Sequence, residues 1–134
     1  MALKARKEDK VYEYIPIVER GEEKPFTVSV RPLKPKEYAQ TEDYMARINK
    51  DESLSFTTGT FNWLVVKKGI VNWKNLIDED NKEIAPIKSA DGTISDESLN
   101  LIPADILTEI ANVILGITRD PEHIDTYLNS SVEG

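Results

Sequence analysis

His123 is the one histidine among 134 residues, and the chain has no cysteine. A Ser-His-Asp relay would have to run through His123, which stands beside Glu122 and two residues before Asp125. Nothing around it has the strained turn that presents a nucleophile, so a surface histidine is expected. The missing cysteines remove disulfides, thiol nucleophiles and thiolate metal sites together. Metal sites built from several histidines are excluded by count. Asp78, Asp80 and Glu83 are spaced like the start of a calcium loop, but Glu83 stands where the turn glycine is needed and Ser89 where the bidentate glutamate belongs. A polar turn is the better expectation there. Neither GxxxxGK[ST] nor GxGxxG occurs, so the common phosphate cradles are missing. The 24 Asp and Glu residues offer so many carboxylate pairs that none is singled out. No catalytic, metal or cofactor-binding residue is expected, and no enzyme.

The remaining chemistry is recognition. Tryptophan and tyrosine dominate protein-binding hot spots, and Trp63 and Trp73 lie on either side of Gly69, with Phe61 close by. A helix over Thr58–Lys68 would spread Phe61, Trp63, Leu64, Val65 and Val66 around nearly its whole circumference. Such a helix is either buried centrally or shared with a second surface. Phe61, Trp63, Leu64, Val66 and Trp73 are therefore the candidate partner-binding residues, Trp63 ahead of Trp73. The competing expectation is that both tryptophans pack in the core.

The elements that must position these residues follow from periodicity. Val11–Val18 reads as a strand demoted to an edge by Pro16, and Phe26–Pro32 alternates apolar and polar as a half-buried strand does. Joined by the turn around Gly21, they make an antiparallel hairpin. Pro35 suits a helix start, and that helix is expected to reach about Asn49 with Tyr38, Thr41, Tyr44, Met45 and Ile48 on one side. Asp51–Ser55 reads as a loop. The Thr58–Lys68 helix should stop at Gly69 in a left-handed cap. Ile70–Leu76 is a mixed segment, and Glu83–Lys88 a short strand interrupted by Pro86. Ser95 is an N-cap for a helix over Ser95–Leu101. Pro103 opens a helix to about Ile117 whose Ile106, Ile110, Val113, Ile114 and Ile117 share one face, flanked by Leu107. Asp120 and Pro121 start a last short helix with Ile124, Tyr127 and Leu128. The expected fold is α+β: one mainly helical domain over residues 1–134 with a small N-terminal hairpin, and flexible tails at 1–10 and 129–134.

Charge narrows the partners. Residues 1–75 carry 14 Lys and Arg against 11 Asp and Glu, whereas residues 76–134 carry 3 against 13, a local net charge of −10. An acidic second half repels phosphate backbones, so nucleic acid is not an expected partner. It suits a basic partner, or solubility of a sticky complex. No apolar run approaches the roughly 18 residues of a membrane helix, so no membrane partner is expected. The charged N-terminus lacks a signal-peptide core, so secretion is not expected either.

The stretch Phe61–Ile84, followed by the acidic Ile94–Ile114, resembles the tail assembly chaperones of long-tailed bacteriophages. Many of those proteins carry a GxxxW-xx-[LV]-x-D-x-x-G-x-x-[IV] element, matched here by Gly69, Trp73, Leu76, Asp78 and Ile84. Asn81 replaces its second glycine, and asparagine tolerates the same left-handed turn. Leu101-Ile102-Pro103 before the last long helix, and Pro25–Tyr38 upstream, are also similar. The likeness covers residues 12–118. It implies a non-catalytic protein of the host cytoplasm that binds the hydrophobic tape measure protein and keeps it soluble during tube assembly. The tail tube protein and a second copy of the chain are further expected partners. The alternative is a structural tail, head–tail connector or completion protein.

Overall fold

The computed structural model describes residues 10–51 and 57–129, with side chains over 10–43 and 61–128. Most of the two expected tails, the loop over 52–55 and the side chains of Tyr44, Met45 and Ile48 lie outside the described residues. The order is β1 (Tyr12–Tyr14), β2 (Thr27–Val30), α1 (Pro35–Asp51), α2 (Thr57–Gly69), β3 (Ile70–Lys74), α3 (Asp96–Leu99), α4 (Ala104–Arg119) and α5 (Ile124–Asn129). The class is α+β, as the periodicity predicts.

α4 is the axis of the core because its apolar residues recur at three and four positions, so they face one way on a 3.6-residue helix. Ile110, Ile114 and Ile117 are fully buried, with Ile106 and Val113 nearly so. Ala111 and Leu115 are buried as well, which widens the expected stripe. The stripe packs against α2. Val28 and Val30 of β2, Val65 and Val66 of α2, and Ile94 and Leu99 complete one continuous cluster.

The hairpin exists, with Tyr12 opposite Val30 and Tyr14 opposite Val28, but it is shorter than expected and is not a separate N-terminal unit. β3 pairs antiparallel with the other side of β2, giving the order β1-β2-β3. The first strand stops at Tyr14 because Pro16 has no N–H for the ladder. Ile17–Glu19 then forms one 3-10 turn, and the Ile17 N–H donates to the Glu109 carboxylate at 3.0 Å. The Tyr14 hydroxyl donates to the same carboxylate. The expected strand over Glu83–Lys88 is reduced to two isolated bridges, Ile77 to Glu83 and Lys88 to Ile94, with Pro86 unable to donate between them.

Gly69 overturns its expected role. It is not in the left-handed region, which Gly21, Gly92, Asn75 and Asn81 occupy instead. A side chain there would bring Cβ to 2.6 Å from Ile114 Cδ1. Glycine is needed because α2 and α4 approach closely at this point, and the chain passes straight into β3. Ser95 caps α3 as expected, accepting from the Ser98 N–H at 3.2 Å. Among the described residues, no helix is long and apolar enough to cross a membrane.

Candidate partner-binding surface

The five residues singled out for binding separate into two groups. Val66 is fully buried and Trp73 is 4% exposed, so both belong to the core and neither presents a face to a partner. Phe61, Trp63 and Leu64 are half-buried on α2, and Phe61 and Trp63 pack against the core's edge. α2 lies against both α4 and α1, which buries Val65 and Val66 fully and leaves Phe61, Trp63 and Leu64 half-buried. This is partial burial, between the two placements that its pattern allowed.

Trp73 organises the loop that follows it. Its indole N–H donates to the Ile84 carbonyl at 2.9 Å, and its ring tilts against Phe26 with centroids 6.3 Å apart. The Leu76 carbonyl accepts from the Ile84 N–H at 2.7 Å. At the loop tip the Asp78 carboxylate accepts from the N–H groups of Asp80 and Lys82, at 2.8 and 3.0 Å. Asn81 takes a φ of 63°, the left-handed conformation that asparagine tolerates. Gly69, Trp73, Leu76, Asp78, Asn81 and Ile84 thus belong to one folded-back loop and the approach to it. Asp78 is occupied in closing a turn. Among the described residues, no group of three or more His, Asp or Glu is arranged to hold a metal ion.

Beside this loop lies a surface that the periodicity did not single out. An open groove of about 730 Å³ runs between the 3-10 turn, the loop after β3 and the start of α4. Its floor is Phe26, Ile102 and Ile106, all buried. Its walls are Leu76, half-buried, with Val18 at 70% and Ile77 at 54% exposure. Glu22, Glu23 and Glu83 rim it. Glu19 also lines it, but one of its carboxylate oxygens accepts from the Phe26 N–H at 2.8 Å. Val18 and Ile77 come from loops nearly sixty residues apart in the chain. The signal available in the sequence was only a branched residue beside an acidic one in each turn, Val18 before Glu19 and Ile77 before Asp78, which periodicity does not detect.

His123 is exposed, with Nδ1 2.9 Å from the Asp120 carboxylate. The hydrogen bond and charge of Asp120 hold its pKa above the ordinary 6.5, while Asp120 is held below its usual range by the same bond. This is the surface histidine the sequence suggests. The remaining polar ties are architectural. Arg31 grips Glu37 through two hydrogen bonds of 2.8 Å, and the Lys67 ammonium donates to the Ile94 carbonyl and the Asp96 carboxylate. No family model matches the chain, and comparison with curated proteins and with solved structures likewise gives no match.

Proposed function

We propose that this chain is a non-catalytic tail assembly chaperone of a long-tailed phage, acting in the host cytoplasm on the tape measure protein. The observation that carries the reading is the apolar groove with Val18 and Ile77 exposed on its walls. Single exposed branched residues are ordinary, but two of them on a concave, mostly apolar cleft with charged groups at its edge have the general form of a binding site. The resemblance over residues 12–118 supports the same reading, since its loop element is intact around Trp73 and Asn81 takes the turn of the replaced glycine. The acidic second half keeps a complex with a hydrophobic client in solution. Self-association through the side of α2 that bears the half-buried Trp63, and contact with the tail tube protein, belong to the same proposal.

Co-expression with the tape measure protein of the same genome tests it. The two should co-purify, and the tape measure protein should move from the pellet to the soluble fraction. A tape measure protein that stays insoluble with this chain present would reject the reading. A second reading, a structural tail or connector subunit, draws on one observation: β1 and β3 are the outer strands of the sheet, and outer strands can template subunit contacts. Mass spectrometry of purified particles separates the two, because a chaperone is absent from them and a structural subunit is present in every one.

A further inference from the structure

The groove carries a statement about what it binds. Its floor and most of its walls are apolar, with Asn75, Asn81 and Glu19 also in the lining, while its rim carries Glu22, Glu23 and Glu83 against the single cation Lys24. Among the described residues, no side-chain hydrogen bond or ion pair engages those three carboxylates. An acidic segment, a phosphate group or a nucleic acid would meet like charge here. A wholly apolar occupant would strip water from the carboxylates without compensation. An occupant with an apolar stripe flanked by lysine or arginine satisfies both parts at once. On a helix, apolar residues at i, i+3, i+4 and i+7 make that stripe, and basic residues beside it reach the rim.

We propose that this groove is a docking site for a basic amphipathic helix of another protein, with leucine-like side chains between Val18 and Ile77 and basic side chains on Glu22, Glu23 and Glu83. This deepens the binding-protein reading above and rests on it, but it specifies the chemistry of the bound segment rather than the identity of the client.

The probe is a fluorescein-labelled helical peptide of about 18 residues, roughly five turns, with leucine on one stripe and lysine elsewhere. Two controls replace every lysine by glutamate, or every leucine by serine. Fluorescence anisotropy should show binding of the leucine–lysine peptide alone, weakening as salt screens the rim. The double variant Val18→Ser/Ile77→Ser should weaken it about tenfold or more, equivalent to roughly 1.4 kcal/mol. Glu22→Lys/Glu23→Lys should do the same. Both pairs are exposed, and circular dichroism should find the variants folded. Glu97→Lys/Glu122→Lys, which alters exposed charges outside the groove, should leave binding within about twofold, well under the tenfold that 1.4 kcal/mol represents.

Several results would overturn the proposal: equal weakening by the remote charge pair, equal binding of the serine control, or indifference to Val18→Ser/Ile77→Ser. So would a dimer that Ile77→Ser dissociates and that excludes the peptide, because the occupant would then be a second copy. The tape measure co-purification, run with the same variants, separates the two ideas. Peptide binding without tape measure binding removes the client and leaves the groove. Tape measure binding that ignores the groove variants removes the groove and leaves the client.

Discussion

At the scale of single residues, close approach and local charge explain positions that conformational rules do not. Gly69 sits where a Cβ would lie 2.6 and 2.7 Å from two carbons of Ile114. Gly69→Ala should therefore cost about 1–3 kcal/mol, as overpacking of a core does, and thermal denaturation will measure it. The sequence marks Gly69 as a helix end, and α2 does end there, but the reason lies in α4, 45 residues further on, which no local rule sees. Gly116 is similar, because a Cβ there would run into the Tyr127 ring. His123 offers a titration with a defined sign. Asp120 raises its pKa in the folded state, so the small stability it contributes is fully present below 6.5 and is lost as pH rises through the folded value. An NMR titration should place His123 above 6.5, and Asp120→Asn should bring it down. No change on that substitution would show that the pair does not form in solution.

Elements were legible wherever one face alternates cleanly with the other. α4 advertises itself through Ile106, Ile110, Val113, Ile114 and Ile117, and all five are buried. Ile110→Asp should abolish the cooperative thermal transition, since an unpaired carboxylate in a core costs several kcal/mol or more. β2 was legible for the same reason, whereas β3 was not. A register shift opposite Ser29 and Val30 sets Ile70 against Val30 and Asn72 against Ser29, leaving Val71 as an extra residue. Burial then falls on Ile70 and Trp73, three apart, and the alternation that announces a strand disappears. The junction from β2 to α1 rests on Glu37, which accepts from Arg31 and from the Lys34 N–H. The Arg31 hydrogen bonds hold its carboxyl below the ordinary 4.5. Its contribution is thus present above 4.5 and is lost as pH falls through the folded value. Glu37→Gln should flatten the acid limb of the stability curve. An acid limb as steep as that of the wild type would place the acid sensitivity elsewhere.

For the whole molecule, the proposed binding surface is only half legible in the sequence. The five aromatic and aliphatic residues of the Gly69 region divide between core and edge: Val66 of α2 and Trp73 of β3 are buried, and Phe61, Trp63 and Leu64 of α2 are half-buried. The groove is built from three stretches of loop and helix start, and only folding brings Val18, Ile77 and Ile106 together. Trp63, half-buried on α2, serves as the contrast. Trp63→Ala should weaken self-association in sedimentation velocity while circular dichroism reports a folded chain and client binding persists. Loss of the fold would assign Trp63 to the core alone. Hydrogen–deuterium exchange, with and without the co-purified tape measure segment, tests the central claim most directly because it reports where the partner sits. Added protection is expected over residues 16–26, 75–83 and 102–106, with 61–69 unchanged. Protection confined to 61–69, or no added protection around the groove in a complex that demonstrably forms, would contradict that claim.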